Sequence, residues 1–194
     1  MENLIKERIK QSVEIKNKIL ENEKLLKKIE SASKIIIDAI KKGNKVIFCG
    51  NGGSAADAQH LAAELMGKFY LNRKPMPAIS LTVNTSVLTA IGNDFGYDEV
   101  FVRQLEGIAK NGDIIVGIST SGNSKNIIKA FKYAKENNIK IIAFTGETGG
   151  KIKEYADILI NIPSNDTPRI QESHITIGHI ICEIVEKEIF GEEK

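Results

Sequence analysis

Two stretches, Ile114-Ile115-Val116-Gly117-Ile118 and Ile141-Ile142-Ala143-Phe144, are apolar on every residue. A strand with one wet face would alternate apolar and polar side chains, so runs of this kind predict strands covered on both faces. Five strands are predicted, at residues 45–49, 78–81, 113–118, 140–144 and 157–160. Helical patterns fall between or after them at 54–70, 85–91, 99–110, 124–137 and 168–190. This alternation predicts an α/β three-layer sandwich with a mainly five-stranded parallel sheet. Ligands of such sheets sit at the carboxyl ends of the strands, where the loops after Cys49, Ile118 and Phe144 would gather.

A chain of 194 residues needs no second domain. Residues 2–30 carry Ile5, Ile9, Val13, Ile19, Leu20, Leu26 and Ile29 on one stripe of a long helix, and Ser31 or Ser33 starts a second helix that ends near Gly43. Residues 1–43 therefore read as a helical extension of a single domain spanning 1–194, its surplus stripe meeting another subunit. A net charge of +2 with scattered lysines gives no support to a nucleic-acid partner. The chain is charged from Glu2 onward, and no apolar run approaches the roughly 18 residues of a membrane span. These features predict a soluble, cytoplasmic protein with no membrane partner. Cys49 and Cys182 lack the spacing of a metal knuckle and are expected to be reduced packing residues.

Chemistry-bearing residues cluster at the predicted loops. Gly50-Asn51-Gly52-Gly53-Ser54 stands between the first strand and the next helix, where freed backbone N–H groups and the helix N-terminus suit an anion. Gly50, Gly52 and Ala55 loosely fit a dinucleotide fingerprint, but no Asp or Glu lies between Lys68 and Val87 to hold a ribose. Phosphate or sugar binding is the better use of the turn. Ser119-Thr120-Ser121-Gly122-Asn123-Ser124 offers more hydroxyls than one capped turn requires, and with the following helix it can surround a phosphate monoester with neutral donors. His60 and Glu64, one turn apart, can bind a divalent metal or set a carboxylate beside a substrate carbon. Asn93 and Asp94 lie in an expected glycine-flanked loop, where an amide and a carboxylate suit sugar hydroxyls. In the last helix His174 and His179 stand about 140° apart, so one of them is structural or solvated. Gln171 and His179 are about 80° and 12 Å apart on the same helix, so either they reach toward each other or one serves a neighbouring subunit.

These motifs, with Gly92-Asn93-Asp94-Phe95-Gly96, Thr145-Gly146 and Arg169-Ile170-Gln171-Glu172, resemble in order the phosphoheptose isomerases of the sugar isomerase (SIS) domain proteins, a fold of flavodoxin-like type. The resemblance implies interconversion of sedoheptulose 7-phosphate and D-glycero-D-manno-heptose 7-phosphate through an enediol, on the route to nucleotide-activated heptose for lipopolysaccharide or other surface glycans. It implies Glu64 as base and His179 as acid, and one zinc ion per subunit held by His60, Glu64, Gln171 and His179. Implied substrate contacts are Asn51, Gly52, Gly53, Glu64, Asn93, Asp94, Ser119, Thr120, Ser121, Ser124 and Gln171. It also implies a homotetramer with sites near subunit interfaces. Lys68 stands where some relatives carry arginine, which keeps a charge but loses bidentate contact. The rival is a non-enzymatic SIS regulator resembling the replication-initiator-associating protein, which lacks the glutamate and late histidine present here as Glu64 and His179.

Overall fold

The computed structural model describes residues 1–191. Five parallel strands, β1 (Val46–Gly50), β2 (Ala78–Ser80), β3 (Ile114–Ile118), β4 (Lys140–Thr145) and β5 (Ile158–Asn161), form one sheet in the order β2-β1-β3-β4-β5. The helices are α1 (Glu2–Leu20), α2 (Glu23–Lys41), α3 (Gly53–Met66), α4 (Thr85–Phe95), α5 (Val102–Ile108), α6 (Lys125–Glu136) and α7 (Thr167–Phe190), with short 3₁₀ turns at Tyr97–Glu99 and Lys151–Glu154.

Successive strand residues face opposite layers. Val46, Phe48, Ile114, Val116, Ile142 and Phe144 pack with α2, α3 and α7, while Ile47, Cys49, Ile115 and Ile141 pack with α5 and α6. The expected three-layer sandwich is present, and the central strands β1 and β3 are buried on both faces along their whole length. Gly117 belongs to this packing, because a Cβ there would meet the Phe131 ring at 2.4 Å. Cys49 and Cys182 are buried free thiols, each pushed up to about 12 by burial. Among the described residues no helix is long and apolar enough to cross a membrane.

The N-terminal region departs from expectation. Instead of one helix over 2–30 with a restart at Ser31 or Ser33, the break falls at Glu21 and Asn22, and the Asn22 side chain caps α2 by accepting from the Leu25 N–H at 3.1 Å. The serines sit inside α2, where their hydroxyls donate to the carbonyls of Lys27 and Ile29. α2 buries Leu25, Ile29, Ile36 and Ile37 against the sheet layer, whereas α1 buries Ile19 alone and leaves Leu4, Ile5, Ile9, Val13 and Leu20 exposed.

Two more boundaries moved. α3 stops at Met66, short of the expected 70, because the next backbone N–H groups bond to a carboxylate of α7. Asn93 and Asp94 belong to the last turn of α4 and not to a loop; Gly92 is absorbed into the helix, and only Gly96, at φ 93°, ends it.

Candidate active site

The sheet order places a topological switch between β1 and β3, whose chains leave toward opposite sides and open a crevice at their carboxyl ends. Gly50 pairs with Ile118, so Asn51 and Ser119 emerge side by side at that crevice. Gly52 adopts φ 56°, a left-handed conformation that glycine reaches without a Cβ penalty, and α3 begins at once with Gly53. No side chain caps this helix start. The N–H groups of Ser54, Ala55 and Ala56 bond to the Asn51 and Gly52 carbonyls, so what this helix start offers the crevice is the positive end of its dipole.

The serine loop is similarly prepared. Ser124 stands at the N-cap of α6 without capping it; its hydroxyl lies 3.0 Å from that of the buried Ser119. The Ser119 hydroxyl lies 3.5 Å from that of Ser121, which in turn accepts the Asn123 N–H at 3.1 Å. Gly122, at φ 63°, lets the loop lie on the backbone of Gly149, whose carbonyl oxygen a Cβ would meet at 2.3 Å. Thr120 supplies its carbonyl to the Gly146 N–H, tying the loop to the end of β4. Ser119, Ser121 and Ser124 are thus gathered around the free start of α6, an arrangement fit for a phosphate.

Two residues beyond the sequence expectation join the loops. Asn126 in the first turn of α6 exchanges amide hydrogen bonds with Asn51 at 3.0 and 2.9 Å, and the Tyr97 hydroxyl donates to Asn51 Oδ1 at 3.2 Å. Asn126 is four-per-cent exposed, and a buried asparagine two residues past a serine loop was the signal available. Asn93 and Asp94 are exposed and bonded to each other at 2.7 Å; the hydrogen bonds of the described residues do not join them to the loops.

α3 and α7 lie side by side on one face of the sheet and carry the charged groups. Nε2 of His60 is 2.8 Å from Nε2 of His179 and 3.1 Å from a Glu64 carboxylate oxygen. The close approach depends on Gly178, where a Cβ would meet the buried Leu61 side chain at 2.6 Å; each of these residues neighbours one of the histidines. Asp57, one turn before His60, has a buried oxygen without a partner among the described residues; burial raises its carboxyl and the nearby His60 opposes the shift.

Ligand atoms of His60, Glu64 and His179 all lie within 4.8 Å of one another. Two imidazoles and a carboxylate are a donor set that zinc takes, and at ligand distances of about 2.0–2.1 Å the donors of a tetrahedral ion sit about 3.3 Å apart. The residues fit a divalent cation. Gln171, two turns before His179, rests against the glycine turn: a Cβ at Gly53 would meet its amide nitrogen at 2.5 Å. His174 is the structural histidine of the pair. Its Nε2–H donates to the Thr145 carbonyl at 3.0 Å, and burial lowers its pKa to about 4. Arg169 pairs with Glu172 and donates to the Arg8 carbonyl at 3.3 Å, fastening α1 to α7.

A family model described as SIS domain matches residues 9–146. Phosphoheptose isomerase from Clostridium acetobutylicum is 58% identical over 193 residues, covering 100% of this chain and 98% of the relative. Phosphoheptose isomerase 2 from Campylobacter jejuni is 52% identical, with 98% and 96% covered. Among solved structures, a phosphoheptose isomerase from Neisseria gonorrhoeae superposes with a TM-score of 0.90 at 40% identity, covering 96% of this chain and 98% of that one. One from Francisella tularensis gives 0.92 at 34% identity, covering 95% and 97%. With strand order, switch-point loops and helix-borne His/Glu cluster in agreement, the chain belongs to the phosphoheptose isomerases of the SIS domain family.

Proposed function

We propose that the chain interconverts sedoheptulose 7-phosphate and D-glycero-D-manno-heptose 7-phosphate, in the cytoplasm, on the route to nucleotide-activated heptose. The observation that carries this reading is the meeting of His60, Glu64 and His179, drawn from helices more than a hundred residues apart, beside a crevice built for a phosphate. Their presence also argues against the non-enzymatic regulator.

In the ketose-to-aldose direction Glu64 takes a proton from C1. The C1–C2 double bond forms, and the C2 carbonyl oxygen receives a proton from His179. The enediol then returns the O1 proton to His179 while Glu64 delivers its proton to C2, leaving an aldehyde at C1. Ser119, Thr120, Ser121 and Ser124 with the start of α6 hold the phosphate. Asn51, Gly52, Gly53, Asn93, Asp94 and Gln171 hold the sugar hydroxyls, with Gln171 supported by its place against the glycine turn. A divalent cation, zinc on the chemistry of the donors, would be held by His60, Glu64 and His179 with Gln171 as fourth ligand, and would supply stabilisation of negative charge on the sugar oxygens.

We read residues 1–194 as one SIS domain and assign the exposed stripe of α1 to a homotetramer interface. Support comes from Leu4, Ile5, Ile9 and Val13, which face solvent in one subunit, and from an apolar groove of about 330 Å³ between α1, α2 and α7. The test is NMR observation of the purified protein with sedoheptulose 7-phosphate, with and without zinc and a chelator. Heptose resonances should appear and be lost with chelation; a folded protein that leaves the ketose untouched under every condition contradicts the reading.

A further inference from the structure

Among the described residues, the charged side chain buried most completely lies outside the site. Glu186 of α7 has no exposed surface, and the Arg73 side chain paired with it is two-per-cent exposed. One Glu186 oxygen accepts from Arg73 Nε at 2.7 Å and the Phe69 N–H at 3.1 Å; the other accepts from the N–H groups of Tyr70 and Leu71 at 2.7 and 3.0 Å. Burial alone would raise this carboxyl, but the three backbone donors and the guanidinium outweigh it and hold the pKa below the usual range. The rest of the guanidinium closes the end of α3. It donates to the carbonyls of Glu64 at 2.9 Å, Leu65 at 2.9 Å, Gly67 at 3.1 Å and Lys74 at 3.1 Å.

The carbonyls of Glu64 and Leu65 lie in the last turn of α3 and that of Gly67 at its C-cap, where helix carbonyls run out of intrahelical donors, and the first of them is the carbonyl of Glu64 itself. On α7, Glu186 follows His179 by seven residues, two turns along the same face. The segment fixed by Glu186 includes Phe69, whose ring lies 5.8 Å from the His179 ring at a tilt of 33°. One buried pair therefore ends the helix of Glu64, fastens it to the helix of His179, and sets an aromatic wall against the imidazole. A buried ion pair is a weak source of net stability, so geometry is the better account of its presence.

We propose that Arg73 and Glu186 are positioning residues for the isomerisation, holding Glu64 and His179 at working separation through the end of α3 and Phe69. The proposal rests on the isomerase reading above. The test measures kcat and KM for sedoheptulose 7-phosphate in Glu186→Gln, Arg73→Lys and Phe69→Leu, with circular dichroism to confirm folding. Because small displacements of reacting groups cost up to about 10²-fold in rate, Glu186→Gln and Arg73→Lys should each lower kcat by about 10- to 100-fold with KM nearly unchanged. Phe69→Leu, which leaves the ion pair intact, should give a several-fold loss in kcat alone. If Glu186→Gln does not fold, the other two variants carry the test. Folded variants with wild-type kcat, or with the loss confined to KM, overturn the proposal. A wild-type protein without activity refutes the isomerase reading instead, so the two failures are distinct.

Discussion

The two halves of the crevice are built in opposite ways. The proposed phosphate half consists of neutral groups on two loops that leave neighbouring strands; its hydroxyls are placed by hydrogen bonds within the serine loop, and the Asn51–Asn126 pair ties the two loops together. The reactive half consists of two imidazoles and a carboxylate on α3 and α7, and its geometry depends on how closely two helices pack. Neutral donors can be fixed cheaply and early because no charge is buried. Charged groups poised for proton transfer need a scaffold that holds them from both sides. On the proposed assignment, the serine loop's geometry is largely local and that of the reactive groups is tertiary.

Substitutions in the two halves should separate accordingly. The largest effect is expected for His179→Ala, which removes the proposed proton donor: kcat should fall by about 10²- to 10⁴-fold while the protein stays folded. A kcat within tenfold of wild type, measured by the NMR assay, would erase the distinction. Gly178→Ala is next. Its Cβ has to displace the buried Leu61 side chain, met at 2.6 Å, at a cost of about 1–3 kcal/mol. The helices should part, so kcat should drop about tenfold though no reacting group is altered, and urea unfolding measures the accompanying stability loss.

In the phosphate half Ser121→Ala should raise KM by about 3- to 10-fold, the value of one neutral hydrogen bond, with kcat nearly constant. A kcat loss equal to that of Gly178→Ala would show that the loops also set the reactive geometry. The last effect, on stability and not on turnover near neutral pH, joins the halves through His174, whose ring donates to the end of β4. Buried, it stays neutral down to about pH 4, whereas the unfolded chain binds a proton near 6.5. The unfolded state therefore gains protons first, and stability should fall as pH drops from about 6.5 to 4, by an amount on the order of 3 kcal/mol when complete, with no effect above that window. Urea midpoints across this range, compared with those of His174→Gln, isolate the contribution.

The same contrast explains what could be read from sequence. Fully apolar runs marked β3 and β4, and the glycine and serine loops announced themselves because their residues are contiguous. His60 and Glu64 were visible as an i, i+4 pair, but their union with His179 depends on Gly178 packing on Leu61, which no local pattern records. Asn22 carries no visible mark of a helix break, because the residues around it continue the helical stripe. Asn93 and Asp94 were assigned to a loop because Gly92 resembled a terminator, though α4 continues through it. Arg73 escaped notice for the reason that makes it interesting: its partners are backbone carbonyls and a glutamate 113 residues away.

The most direct test of the division of labour is the rate of sedoheptulose 7-phosphate conversion by folded Glu64→Gln, followed by NMR at saturating substrate. The carboxamide preserves shape but cannot take the proton, so turnover should fall by at least about 10²-fold, with substrate still bound through the serine loop. A turnover close to that of the wild type would contradict the assignment of the chemistry to the α3–α7 pair.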